Sequence, residues 1–434
     1  SLRHIFHHGT HTNPTLHKHI KLSDSRSTLW VDSELGPDLG PKIEITRPLV
    51  AQSRPIEIER LEDRRPSVVE PLIAAAQEGS DVWGSSLSIR WTLDTVSGPN
   101  ITDKDTILTF AYMGANAYEP TPNKGEWTDV NGGFNETIGF GWEKEGVRGY
   151  VYANEDDSTI VISFKGGSAR FWDPFDTAWT DRENVNMLFG CCCGQGSLFY
   201  HRNCNCARGN TCDTSCVGKC LRQEEKYYAA AQQVYSNITA LYPDAQVWLT
   251  GHSLGGTMSS LLGHTYGLPV ITFETPGDAL PVSRLGLPAP PGSRNPQSRN
   301  NTGIFHFGIT SDPIFTGTCT GLLATCTFAG YSFESMCHTG KKCVYDVMKD
   351  LGWHSSILSH GITSVINDVL LKYDVVPECE AVPECVDCVG WKEGPSITSA
   401  SSVISTTTST STCRTPGWFG CWDKTTSATA TPTS

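Results

Sequence analysis

The sequence has no run of 18 consecutive apolar residues anywhere in its 434, which excludes a membrane-spanning helix within it. It is short of positive charge: 33 Lys and Arg stand against 46 Asp and Glu, a formal net charge of −13. That balance argues against nucleic-acid binding and against a polybasic grip on membranes. Paired metal-ligand spacing is nearly missing too. Of 17 cysteines only Cys385 and Cys388 stand as C-x-x-C, too few pairs for a zinc framework. With 38% hydrophobic and 18% charged residues, the composition is globular but polar-leaning, and the length suffices for a full core.

What the chain does have is cysteine far above cytosolic usage, clustered over residues 191–220, 319–343 and 379–388 and at Cys413 with Cys421. N-x-S/T sequons begin at Asn100, Asn135, Asn237 and Asn300. Together these predict an oxidising, glycosylating route and disulfides rather than metal ligation. The odd total leaves at least one thiol free or bonded to another chain. Protonating all 13 histidines would bring the formal charge from −13 to −13 + 13 = 0, so an acidic lumen would relieve repulsion from anionic lipid. The chain starts at Ser1 without a methionine, a start compatible with a signal, anchor or leader removed upstream.

Residues 1–65 read as an extension, with six of the 13 histidines in its first 19 residues. A solvated segment laid over the domain is the favoured reading there, ahead of a metal site. Residues 66–395 alternate helix and strand signals, which predicts an α/β domain with a mostly parallel sheet and helices on both faces. Helices are expected from Asp103 to Ala117, Gln223 to Leu241, Leu254 to Tyr266 and Ile362 to Lys372. Strands are expected at Thr159–Phe164, Val247–Thr250, Pro269–Glu274 and Gly303–Ile309. Leu285 to Asn301 is Pro/Ser/Asn-rich and reads as an exposed loop open to nicking. In residues 396–434, 21 of 39 are Ser or Thr, a disordered and O-glycosylated tail by composition.

The chemistry centres on Gly251-His252-Ser253-Leu254-Gly255. The bare G-x-S-x-G pattern is weak, but here it lies between a predicted buried strand and a predicted helix, where a nucleophile elbow must sit. Glycines two residues either side avoid clashes that a side chain would make. A serine hydroxyl needs a histidine to take its proton, and that imidazole needs a carboxylate to fix its tautomer. In the chain order Ser, acid, His, the acid is Asp312, following a predicted strand; Asp278, Glu274 and Asp346 compete. His306 precedes Asp312 and His338 lies among cysteines, which leaves His360 as the preferred base and His354 as its rival. The oxyanion donors are the N–H groups of Leu254 and of Gly167 in Phe164-Lys165-Gly166-Gly167. Nothing in the pattern calls for a cofactor or metal.

TIVISFKGG, VWLTGHSLGG, SDPIF and the His360 segment resemble the fungal class 3 lipases, α/β-hydrolases with F-[RK]-G-[ST] at the oxyanion loop. LRHIFHHGT, the cysteine-rich insert and WHSSILSHGI are similar to the autophagy-related vacuolar phospholipases within that family, over about residues 2 to 395. The resemblance implies a triad of Ser253, Asp312 and His360 and an oxyanion pair of Gly167 and Leu254. Gly167 departs from the usual Ser or Thr and brings no side-chain hydroxyl. The resemblance also implies an N-terminal anchor ending just before this chain, delivery through multivesicular bodies and a site facing the vacuole lumen. Its substrate would be a phospholipid membrane of autophagic bodies.

Residues 171–222 are expected to hold a lid and a disulfide-rich insert. Trp172, Phe175, Trp179, Met187, Leu188, Phe189, Leu198, Phe199 and Tyr200 would form an apolar interaction patch if exposed, with core packing as the competing reading. A vacuolar protease cutting at 285–301 or within the insert would be an activating partner. The competing functions are a secreted carboxylesterase on soluble esters and a non-catalytic cell-surface glycoprotein. No pattern sets an oligomeric state.

Overall fold

The computed structural model describes residues 2–8, 17–21, 30–31, 43–44, 51–77, 89–118, 146–154, 156–167, 178–194, 203–291, 293, 296–321, 323–394, 416–417 and 420–421. Ser1–Ser396 form one compact unit and Ile397–Ser434 another. Within the second, only the strand pair Pro416–Gly417 and Gly420–Cys421 is described; the rest of the Ser/Thr-rich tail lies outside the described residues.

The first unit is organised by a nine-stranded sheet. Its strands are β1 (Leu2–His8), β2 (His17–Lys21), β3 (Val147–Ala153), β4 (Thr159–Phe164), β5 (Gln246–His252), β6 (Val270–Phe273), β7 (Ile304–Ile309), β8 (Lys341–Tyr345) and β9 (Cys379–Ala381). They lie in the order β9-β8-β7-β6-β5-β4-β3-β1-β2. The five strands from β4 to β8 are parallel, and the flanking pairs are antiparallel. The sheet is therefore mixed, with its parallel run at the centre.

Both faces of the centre are covered, as continuous apolar strands require. Ile160, Ile162 and Phe164 of β4 enter one core and Val161 the other. On the first face lie α2 (Ala178–Phe189), α3 (Tyr227–Leu241) and α4 (Leu254–Tyr266); on the second lie α1 (Lys104–Asn116) and the helical stretch Ile362–Leu370. Asp103 starts α1 by accepting from Thr106 N at 2.8 Å, a cap worth about 1 kcal/mol. Gly267 ends α4 at φ 64, where a side chain would be strained. An outer hairpin, Ser53–Leu61 with Trp91–Pro99, is tied to the sheet where Trp248 Nε1 donates to Ser97 O at 2.9 Å.

Three expectations are corrected. The N-terminal segment is no mere overlay: β1 pairs with β3 and inserts Phe6 edge-on against Phe164, with ring centroids 5.6 Å apart. β3 would otherwise be an unpaired edge, and β1 covers it. In the expected lid, Met187, Leu188 and Phe189 are core residues of α2, because that helix is enclosed on nearly every side, its polar Thr180, Asp181, Asn184 and Asn186 being buried as well. Trp172, Phe175, Leu198, Phe199 and Tyr200 lie outside the described residues, and Trp179 is exposed. The 285–301 loop is exposed only in part. Leu285 and Leu287 are buried, and buried Arg299 donates to Pro288 O at 3.0 Å and Glu59 O at 3.2 Å.

Among the described residues the cysteines form seven disulfides: 191–388, 192–212, 193–204, 206–216, 319–326, 337–385 and 343–379. The C-x-x-C pair is thus split between two bridges, and Cys220 is a free thiol. A bridge within the tail between Cys413 and Cys421 falls outside the described residues. Of the sequons, Asn237 and Asn300 are exposed, Asn100 is half-buried, and Asn135 lies outside them.

Candidate active site

β5 ends at His252 and α4 begins at Leu254, so Ser253 alone makes the bend, at φ 54 and ψ −126. A non-glycine residue there costs about 1–3 kcal/mol and stays only because its surroundings dictate it. Ser253 N–H donates to Phe273 O at 2.9 Å. A Cβ on Gly251 would lie 2.5 Å from the backbone carbon of Gly255, and one on Gly255 would strike Phe164 O. Both glycines are therefore required by the close approach of strand, bend and helix.

Around the hydroxyl the chain brings three distant side chains together. Ser253 Oγ lies 2.9 Å from His360 Nε2, and His360 Nδ1 lies 2.8 Å from Asp312 Oδ2. Asp312 follows β7 and is fully buried. Its other oxygen accepts from Ile314 N–H at 2.8 Å. Burial alone would push this carboxyl up, but the His360 imidazole and a hydrogen bond from Glu274 hold it below the usual carboxylate range. With Asp312 ionised, Nδ1 carries the imidazole proton and Nε2 is free to accept from Ser253.

His252 is fully buried behind this pair. Its Nε2 lies 2.8 Å from the backbone O of His360, and its Nδ1 lies 2.7 Å from Tyr118 Oη. A carbonyl can only accept, so Nε2 donates, which leaves Nδ1 to accept from the tyrosine O–H. His252 therefore anchors the main chain of His360.

The oxyanion loop is pinned from the same side. A Cβ on Gly166 would lie 2.5 Å from His252 O, whereas one on Gly167 would first meet Asp181 Cβ at 3.9 Å. Position 167 thus has room for a side chain, and packing does not explain the missing hydroxyl. Half-buried Lys165 donates to Gly166 O at 3.1 Å and lies 4.0 Å from Asp181 Oδ2. Tyr227 Oη donates to Asp181 Oδ1 at 2.5 Å; burial and that negative charge keep the phenol protonated.

The competing residues have other places. His354 is exposed. Asp346 caps a helical turn, accepting from Lys349 N–H at 3.3 Å. Asp278 sits in a buried polar cluster, accepting from Thr339 N–H and Thr339 Oγ1, each at 2.7 Å. His306 lies 3.5 Å from that carboxylate, and the rings of His306 and His338 are 5.3 Å apart. Glu274 is the exception, for it lies directly behind Asp312. Sequence reasoning missed Tyr118, Lys165, Asp181 and the part played by Glu274. Only Lys165 carried a signal, its place in F-K-G-G.

The Lipase (class 3) family profile matches residues 198–267, a span that includes the elbow. "Putative lipase atg15" of Penicillium rubens is 48% identical over 98% of this chain and 64% of its own length. "Putative lipase ATG15" of Passalora fulva is 47% identical over 98% of this chain and 65% of its own length. The chain thus spans just under two thirds of the relatives it matches. Lipase II from Rhizopus niveus, a solved structure, is 15% identical over 50% of this chain and 74% of that one, with a TM-score of 0.25, too low to argue from. Residues 198–267 match the class 3 lipase profile, and the chain is similar to those two proteins along nearly all its length; its central parallel sheet, covered on both faces and carrying a serine elbow, has the α/β-hydrolase fold.

Proposed function

We propose that the protein is a lumenal serine lipase that hydrolyses acyl esters of membrane phospholipids, with triacylglycerol as a further substrate. In this reading it breaks down autophagic-body and vesicle membranes in the vacuole. The observation that carries the chemistry is the unbroken chain of hydrogen bonds from Ser253 Oγ through His360 to Asp312. The vacuolar setting rests on the resemblance in LRHIFHHGT and WHSSILSHGI, and the disulfides suit such a compartment.

In the proposed reaction, Ser253 Oγ attacks the ester carbonyl as its proton passes to His360 Nε2. The carbonyl oxygen becomes an oxyanion that accepts from the N–H groups of Leu254 and Gly167. When the intermediate collapses, the bond to the alcohol oxygen breaks and His360 Nε2 returns the proton to that oxygen. Water then repeats the sequence on the acyl-serine and releases the fatty acid. Asp312 holds the Nδ1 proton throughout and stabilises the imidazolium.

A fluorophosphonate probe should label wild type and spare Ser253→Ala. Ser253→Ala and His360→Ala should each lose about 10⁴-fold in turnover, while His354→Ala stays near wild type. An active His360→Ala beside an inactive His354→Ala would overturn the base assignment. Lipidomics of mixed vesicles near pH 5 and pH 7 tests the substrate. Turnover confined to soluble short-chain esters would replace phospholipids by soluble esters as the substrate class.

A further inference from the structure

The segment from Pro313 to Phe333 leaves the candidate triad at Asp312 and contains no Asp, Glu, Lys, Arg or His, in a chain of net charge −13. Its base is fixed to the domain. Buried Asn186 donates to Gly330 O at 3.0 Å and accepts from Ser332 N–H at 2.7 Å. Phe333 stacks on Phe189 with centroids 5.7 Å apart. The tip is different. The Cys319–Cys326 bridge closes a short loop, and Thr327 Oγ1 braces it by donating to Gly321 O at 2.8 Å. On this stapled tip Leu323 is 88% exposed and Phe328 61%. Holding large apolar side chains in water is unfavourable unless an apolar phase receives them.

We propose that this disulfide-closed loop and the turn just after it form a membrane wedge: Leu323 and Phe328 enter the acyl layer of a lipid bilayer and hold the Ser253 site against its surface. The inference rests on the phospholipid reading above and adds to it the element that makes contact. Three observations favour a bilayer as the occupant. The loop starts one residue after Asp312, on the carboxyl edge of the parallel strands where Ser253 also sits, so docking there brings substrate to the site. An uncharged loop lets an anionic protein approach anionic headgroups with little local repulsion. Between Cys319 and Phe328 its polar groups are threonine hydroxyls and backbone, which headgroups can solvate, whereas that stretch offers a protein partner no charged side chain to pair with.

The test uses the full chain carrying Ser253→Ala, so that lipid is not consumed, floated with phosphatidylcholine vesicles. Adding Leu323→Glu and Phe328→Glu should weaken partitioning by about 10-fold or more. Leu323→Trp should partition as well as its parent. In the active background the double glutamate variant should keep turnover of a soluble p-nitrophenyl ester within about twofold, which shows that it folds. If it does not, Leu323→Ser alone decides, with about threefold weaker partitioning expected. Equal partitioning of parent and loop variants, or none by the parent, overturns the wedge. So does a dimer that the glutamates dissociate while vesicle binding is unchanged, since the patch then belongs to a second copy. A parent that floats with vesicles but hydrolyses no ester sinks the lipase reading and leaves the wedge standing.

Discussion

Glu274 and Asp312 set two wholly buried carboxyl groups close enough to share a proton, and Glu274 Oε1 meets no N–H donor among the described residues. They follow adjacent parallel strands, Glu274 after β6 and Asp312 after β7. Glu274 also accepts from Ile309 N–H at 3.3 Å. Two buried carboxyls in contact do not both ionise. Burial and the Asp312 charge push the Glu274 carboxyl well above its ordinary value of 4.5. The shared proton therefore sits on Glu274, and the negative charge stays on Asp312, facing His360.

Glu274→Gln keeps an N–H donor toward Asp312 and should retain turnover within about threefold. Glu274→Leu removes the donor, so the Asp312 charge falls more fully on His360 and makes its imidazole more basic. We expect about a 10-fold loss of kcat and an acid limb of kcat/KM displaced to higher pH. A loss in both variants with no movement of the limb would assign Glu274 to packing alone.

His252 offers a second test, because its Nε2 holds the main chain of His360 while its ring lies beside the imidazole, with centroids 4.8 Å apart. Truncation to Ala frees that carbonyl and should misplace the imidazole, lowering kcat about 10- to 100-fold with KM nearly unchanged. Tyr118→Phe keeps the histidine in place but removes its proton donor at 2.7 Å, and should cost less. Wild-type kcat in His252→Ala would show that the His360 loop needs no such anchor.

The parts of the molecule fixed by local pattern were legible in the sequence. The apolar, β-branched run of β4 and the helix Leu254–Tyr266 have the expected bounds, since periodicity and flanking glycines define both. The elbow was legible because close packing leaves only glycine at 251 and 255. What was not legible depends on strand order. Glu274 reads as a mere competitor for Asp312 until β6 and β7 lie side by side. The histidines of Leu2–His8 hide its strand character, which β3 supplies by pairing. Likewise Met187 to Phe189 look like a patch for solvent or lipid until α2 is seen packed on the core.

The buried cluster near Asp278 makes stability depend on pH. Burial drives the imidazoles of His264 and His338 down to about 3 from an ordinary 6.5. Both are neutral in the fold, whereas unfolded chains take up these protons below about pH 6.5. Their contribution is therefore whole above that pH and declines as pH falls toward 3, by about 2 kcal/mol each between pH 7 and pH 5. Glu274, with its raised value, works in the opposite sense and gains as pH falls toward 4.5. Comparison of variants isolates the histidines. Between pH 7 and pH 5, urea unfolding of His264→Gln should show about 2 kcal/mol less acid loss than wild type. Parallel curves would mean that His264 takes up its proton without unfolding.

The disulfides should differ in weight according to the chain they enclose. Cys191–Cys388 spans 197 residues and Cys319–Cys326 only 7. If each acts by restricting the unfolded chain, removal should cost about 5 kcal/mol for the long bridge and about 2.5 kcal/mol for the short one. The long bridge has backup, since Arg284 donates to Gly190 O at 2.6 Å and to Glu393 at 3.0 Å beside it. Those bonds hold the insert near the C-terminal segment in the fold but do nothing to the unfolded chain. Replacing both cysteines of the long bridge with Ser should therefore lower Tm far more than it lowers turnover of a soluble ester at 25 °C. Removing the short bridge should leave most of the stability and loosen the tip that carries Leu323. Equal Tm losses for the two pairs would show that native-state packing, not chain entropy, sets their contributions.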